Sequence, residues 1–326
     1  MGRKIGLIVL AVLAALVVIF LLGPRVSVDT TVTFDPASIG PEPDEYLAKA
    51  EAAVPGIRDD LQKEIIWADP MTRRKTPLSI VYIHGFSASK GEILPVVDIV
   101  AAGIDANLYY ARLTGHGRDG AAMLEGSVNA WVNDYAEAIA IGRAIGERVV
   151  VIATSTGASL ATWAATQPNL SEDVATLIAI SPNYGVRASG SRILTLPWGG
   201  QIADLIIGRE RGFETINDLH ARYWTSRYPT RAVLPMAALT ELAYAAPVEE
   251  TKIPALFIFS DDDKVVRAEL TREIAGRWGA RHELVPIERN DDPSSHVIAG
   301  EALSPSTTRF VADRIQVWVE AVTGSN

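Results

Sequence analysis

The 326-residue sequence predicts an α/β fold: a mostly parallel sheet with helices on both faces, a mainly helical cap inserted late in the chain, and a transmembrane helix at the N-terminus. Three observations predict it. Short β-branched runs alternate with helical patterns from Leu78 to Ile287. Residues 181–250 interrupt that alternation without a clear strand. Ile5 to Leu22 contains no polar or charged side chain.

The apolar run comes first. As a helix at about 1.5 Å per residue it spans roughly 27 Å, close to the hydrocarbon thickness of a bilayer. A cleaved secretory signal has a shorter apolar region and ends in a small-x-small site. Here the run ends Leu21-Leu22-Gly23-Pro24-Arg25, without such a site. Residues 1–25 are therefore expected to be an uncleaved membrane anchor, with a cleaved signal and secretion as the alternative. The positive-inside rule places Arg3 and Lys4 in the cytoplasm and the remainder of the chain on the other side, with Arg25 as a counter-signal.

Residues 26–43, rich in Pro, Asp, Ser and Thr, read as a linker. Asp44 to Val54 reads as a charged helix. Strands are expected at Leu78–Ile83, Asn107–Arg112, Arg148–Ala153, Ala175–Ile180, Pro254–Ser260 and His282–Ile287. Their continuous apolar character suits strands buried on both faces of a parallel sheet. Between them, Val128, Trp131, Tyr135 and Ile139 step by three or four, with Ser127 as N-cap and Gly146 as a stop. Val266, Leu270, Ile274 and Trp278 form a second stripe, ended by Gly279. Val311, Ile315, Trp318 and Val322 form a third. The domains expected are thus a sheet core over 44–180 and 251–326, with a cap over 181–250. A long strandless excursion in a compact domain usually serves function.

Composition excludes several function classes. The net charge is −9, from 30 Lys and Arg against 39 Asp and Glu. Residues 1–25 hold three positive charges and no negative one, which leaves −12 on the remainder. That balance argues against a nucleic-acid partner. A polybasic tether is absent, so attachment to a membrane falls to the helix. The absence of cysteine excludes disulfides, thiolate metal sites and a thiol nucleophile. No His/Asp cluster has ligand spacing, and Asp261 to Asp263 lacks the pattern of a calcium loop. No metal and no cofactor are expected.

The strongest chemical signal is Ala153-Thr154-Ser155-Thr156-Gly157, between an apolar strand and the helical run Ala158–Gln167. A serine on a sharp strand-to-helix turn presents its hydroxyl above the sheet edge, and the turn demands small neighbours. The plain alternative is a Ser/Thr helix cap. A serine nucleophile needs a base and an orienting acid. His296 lies in the turn-rich loop Asn290–His296, whereas His282 alternates with hydrophobic residues in a strand. Three carboxylates, Asp261, Asp262 and Asp263, follow the fifth strand. Asp263 is chosen for its spacing before Val265-Val266, and Asp262 is the alternative. Backbone N–H groups of Thr156 and Phe86 are the expected oxyanion donors. His84 is read as structural and His116 as a packing residue.

His84-Gly85-Phe86, Arg112-Leu113-Thr114-Gly115-His116-Gly117, the Ser155 turn, the Asp263 loop and the His296 loop together resemble the α/β-hydrolase superfamily, from about Glu64 onward. Within it the chain looks most like the carboxylesterase, monoacylglycerol-lipase and serine-aminopeptidase-like group. Ala153 stands where the first Gly of G-x-S-x-G is usual, and Thr156, directly after the nucleophile, stands where larger residues are common; neither departure removes a needed group. The resemblance implies a cofactor-free Ser155–His296–Asp263 hydrolase with a cap over its pocket. The expected activity is cleavage of small-molecule acyl esters, as in a carboxylesterase or lipase. A peptidase or amidase using the same residues is the first alternative, and a non-catalytic binding protein the second.

Overall fold

The computed structural model describes residues 2–324. Its helices are α1 (Gly2–Leu21), α2 (Pro43–Ala52), α3 (Val96–Gly103), α4 (Val128–Ile145), α5 (Ser155–Ala164), α6 (Pro168–Ser171), α7 (Gly199–Ile207), α8 (Asp218–Tyr223), α9 (Val233–Tyr244), α10 (Ala268–Arg277) and α11 (Thr308–Thr323). Its strands are β1 (Glu64–Ile66), β2 (Thr76–Ile83), β3 (Asn107–Tyr110), β4 (Gly146–Thr154), β5 (Val174–Ile180), β6 (Glu210–Gly212), β7 (Arg227–Pro229), β8 (Ala255–Phe259) and β9 (His282–Pro286).

Seven strands form one sheet in the order β1-β3-β2-β4-β5-β8-β9. Only β1 runs antiparallel, along β3. The central strands are covered on both faces, which explains their unbroken apolar sequences. In β4, Val149, Val151 and Ala153 pack into a core shared with α4, α5 and α10. Val150 and Ile152 pack into the opposite core, with α3 and α11. The chain goes from β2 outward to β3, then returns to place β4 on the other side of β2. That reversal is a topological switch point at the carboxyl ends of β2 and β4, the place where open α/β sheets bind ligands. The loops after both strands meet there.

Ser127 caps α4 as its position implies, with its hydroxyl accepting from Ala130 N at 3.0 Å. Ser127→Ala is expected to cost about 1 kcal/mol, read as a lower denaturant midpoint at unchanged slope.

Several features differ from the sequence expectations. The edge strand β1 is only three residues long and had no periodicity to reveal it. Residues 181–250 are mainly helical but contain the two-stranded β6–β7 ribbon. Residues 26–43, read from composition as a linker, run along the sheet domain. Asn133 on α4 explains this: its Oδ1 accepts from Thr33 N at 2.7 Å and from Phe34 N at 2.8 Å. Val26, Val32 and Phe34 then pack on the core.

Candidate active site

Strand β4 stops at Thr154 and α5 starts at Ser155 with no loop between them. Ser155 absorbs the change of direction with φ +51, a left-handed conformation that costs a β-carbon residue roughly 1–3 kcal/mol. The helix is pressed against the end of β2. A Cβ at position 157 would lie 2.4 Å from the Ile83 carbonyl oxygen and 2.5 Å from that of His84, so only Gly157 fits. Ala153 is wholly buried, and its side chain is small enough for the turn. The Ser155 carbonyl accepts from Asn183 N at 3.1 Å, which ties the turn to the loop after β5.

The candidate acid, Asp263, and the candidate base, His296, lie in loops after β8 and β9. Asp263 is buried, and its Oδ1 accepts from Val265 N and Val266 N, both at 2.8 Å. Its Oδ2 is 2.7 Å from His296 Nδ1. Asp261 and Asp262 are exposed, and Asp261 pairs with Arg272. A second carboxylate, Asp292, shapes the histidine loop. Its Oδ2 accepts from His296 N at 3.0 Å and Val297 N at 2.8 Å, and its Oδ1 from Ser294 N at 2.9 Å. His296 Nε2 then lies 3.0 Å from Ser155 Oγ. The structure thus brings Ser155, His296 and Asp263 into one continuous chain of contacts and leaves Asp262 outside it.

Gly85 in the loop after β2 packs directly on the serine: a Cβ there would lie 3.1 Å from Ser155 Cβ. Phe86 follows it, half-buried, edge-on to Tyr228, His116 and Trp131 at centroid distances of 5.4, 5.6 and 6.3 Å. Thr156 is buried in the first turn of α5, where a helix has no acceptor of its own for the N–H groups. The two expected oxyanion donors therefore flank Ser155 on separate elements.

The remaining histidines are placed by packing. His84 Nδ1 donates to Gly85 O at 2.8 Å, and its Nε2 accepts from Leu113 N at 3.1 Å, a pattern that needs neutral imidazole. Burial pulls its pKa down to about 4, which keeps it neutral. His116 packs between Phe86 and Trp131. His282 opens β9, with Nδ1 3.0 Å from Ala280 O.

Sequence reasoning missed Glu92. It lies in the short Lys90–Glu92 turn, yet it is buried beneath the site. Its Oε2 accepts from Gly85 N at 2.8 Å and from the Tyr82 hydroxyl at 3.0 Å. Its Oε1 would lie 2.7 Å from a Cβ on Gly85. Glu92 thereby fixes the loop that carries Phe86. A charged residue in a Lys-Gly-Glu turn carries no sequence signal of burial.

Electrostatics follow from these contacts. Burial alone would lower the His296 pKa, but Asp263, then Glu92 and Asp292, outweigh it and hold it above the ordinary 6.5. Burial pushes the Glu92 carboxyl up, opposed by the Gly85 N–H and by His296.

A left-handed serine between a buried strand and a helix, backed by a buried histidine and aspartate at the carboxyl edge of a parallel sheet, defines the class of serine-centred α/β folds. The chain matches the alpha/beta hydrolase family over residues 80–302, more than half its length. It belongs to that family. No curated protein matches the chain in sequence. Among solved structures, it resembles one from a study of LipS and LipT, two metagenome-derived lipolytic enzymes, at 19% identity and TM-score 0.62, covering 82% of this chain and 99% of that one. A monoacylglycerol lipase from Paleococcus ferrophilus is similar at 15% identity and TM-score 0.58, covering 81% and 100%. A soluble variant of monoglyceride lipase from Saccharomyces cerevisiae, in complex with a substrate analogue, is similar at 12% identity and TM-score 0.58, covering 80% and 92%. These likenesses are of fold.

Proposed function

We propose that the protein is a serine hydrolase that cleaves carboxylic esters through an acyl-enzyme. The observation that carries this reading is the unbroken contact from Ser155 Oγ through His296 to Asp263 Oδ2. Neutral His296 takes the Ser155 proton on Nε2 as Oγ attacks the ester carbonyl. Asp263 accepts from Nδ1–H and stabilises the imidazolium that forms. The N–H groups of Phe86 and Thr156 receive the developing oxyanion, each worth about 2.7–4 kcal/mol in the transition state. Imidazolium returns the proton to the leaving alcohol. Water, deprotonated by His296, then releases the acid and restores Ser155. No step calls on a metal or cofactor.

Residues 44–180 and 251–326 supply the core, and residues 181–250 the cap. The resemblance to lipolytic enzymes and monoacylglycerol lipases supports a small-molecule acyl ester as substrate. Matched ester and amide substrates with one acyl chain test the reading. Faster ester turnover is expected; faster amide turnover would make the protein an amidase or peptidase.

Because the base must be neutral, kcat/KM is expected to fall on the acid side with a midpoint above 6.5. Glu92→Gln keeps an acceptor for Gly85 N–H but removes a charge near His296. The expected result is an acid limb moved to lower pH, whereas Glu92→Ala, which frees the loop, lowers kcat by up to about a hundredfold. A pH–rate profile of all three chains checks both effects.

Helix α1 has the length and composition to cross a membrane. Its reading as an uncleaved anchor, with the catalytic domain on the non-cytoplasmic side, rests on the missing small-x-small site and on Arg3 and Lys4. Retention in membranes after a high-salt wash, with an intact N-terminus, is the expected result. Soluble protein beginning near Val26 would show a cleaved signal.

A further inference from the structure

The charge of this chain is segregated. Residues 186–232 hold seven arginines against Asp204, Glu210, Glu214 and Asp218, and are net positive in a chain of net charge −9. Residues 1–25 add Arg3, Lys4 and Arg25. The rest of the chain holds 20 basic residues against 35 acidic ones.

The two positive segments touch. The Trp198 indole N–H donates to the Ile19 carbonyl at 3.3 Å, one of the carbonyls that the end of α1 leaves without an intrahelical partner. Trp198 N donates to the Pro24 carbonyl at 2.8 Å. A Cβ on Gly23 would lie 2.0 Å from the indole, so the ring rests directly on the glycine. Trp198 takes a left-handed backbone, φ +64, to do this, and α7 starts at the next residue.

Helix α7 is anchored by buried Ala203, and its last turn projects. Leu205 is 86% exposed, Ile206 64% and Ile207 46%. Leu196, Phe213 and Ile216 on neighbouring turns are also exposed. Single exposed apolar side chains are ordinary on a protein surface. Here several share one short excursion that begins where the apolar helix ends. Exposed Arg209 and Arg211 follow directly and form no ion pair among the described residues.

We propose that α7 is a second membrane contact: its last turn sits in the headgroup region of a bilayer containing anionic lipid, with Leu205 and Ile206 inserted and Arg209 and Arg211 against phosphates. The proposal rests on the reading of α1 as an inserted anchor and is independent of the ester reading. A tryptophan at the end of a span lies at the membrane–water boundary, and Trp198 fixes α7 to that level. A helix lying at the boundary buries its apolar face roughly 5–10 Å into it. The cap also holds the loop after β2 that carries Phe86: Thr225 N donates to Ser87 O at 2.7 Å, and Ser89 Oγ donates to Tyr223 O at 2.9 Å. Seated this way, the cap meets the phase in which apolar acyl esters dissolve.

The absence of cysteine permits clean single labels. The full chain carrying Leu205→Cys, Val12→Cys or Glu147→Cys is labelled with bimane and reconstituted in vesicles of about equal phosphatidylcholine and phosphatidylglycerol, with and without doxyl-labelled lipid. Glu147 is exposed at the opposite end of β4 from Ser155 and serves as the solvent reference. The expected result is quenching at Leu205 by shallow doxyl groups, a depth of roughly 5–10 Å, with none at Glu147. A Leu205 label as unquenched as that on Glu147 overturns the proposal, whether the face is bare or covered by a second copy. The Val12 label then tells which reading failed: quenched, the anchor stands and only the α7 contact falls; unquenched, both fall. Weaker Leu205 quenching in phosphatidylcholine alone supports the arginine contacts, and equal quenching removes the anionic lipid from the proposal.

Discussion

Ser155→Ala is expected to lower kcat for ester hydrolysis by about a millionfold with the fold intact. The size follows from the chemistry: without Oγ no acyl-enzyme forms, and His296 has no proton to take. Residual catalysis of about a thousandfold or more over water should persist, because the proposed oxyanion donors at Phe86 and Thr156 remain. Alanine keeps the Cβ, so the backbone cost at φ +51 is unchanged and the thermal midpoint should hardly move. Burst kinetics and a melting curve on the same preparation separate loss of chemistry from loss of fold.

Asp263→Asn is expected to cost about ten-thousandfold in kcat. Its Oδ1 partners, Val265 N and Val266 N, can still be served by the amide oxygen. The amide nitrogen then faces His296 Nδ1 and favours the tautomer with the proton on Nε2, which leaves Ser155 without a base. Asp262→Asn is the matched comparison. Asp262 is exposed and outside the chain of contacts, so its variant should keep kcat within about twofold. Comparable losses from the two variants would contradict the assignment of the acid.

How far the site could be read from residues depends on which physical signal each carried. Ser155 was legible because a buried strand, a turn of small residues and a helix follow one another without a gap. His296 was legible by its turn-rich loop, and the separation of Asp263 from Asp262 by the Val265-Val266 pair. In the structure that spacing becomes two backbone hydrogen bonds to Asp263 Oδ1, which turn the other oxygen toward the histidine. Glu92 was illegible, because its importance lies in a contact with Gly85 N that closes only when the turn folds under β2. Asp292 was legible as a loop residue but not as the carboxylate that builds that loop.

The fold divides in the same way. Strands β2, β4, β5 and β8 are buried on both faces, so their composition marks them. Strand β1 is three residues at an edge, too short for any period. The strand expected over Asn107–Arg112 ends at Tyr110, because Arg112 turns away to pair with Glu51 on α2 at 2.7 Å. The packing of residues 26–43 depends on one side chain, Asn133, a hundred residues away. Composition reports solubility along such a stretch and not the partner that captures it.

The central claim is that Ser155 is an activated nucleophile. The most direct test is labelling of the protein with a fluorophosphonate, read by peptide mass spectrometry beside Ser155→Ala. The account predicts a single adduct on Ser155, absent from the variant, with a rate that rises with pH through the raised pKa of His296. A folded protein that takes no label at any pH, or takes it equally in the variant, would contradict it.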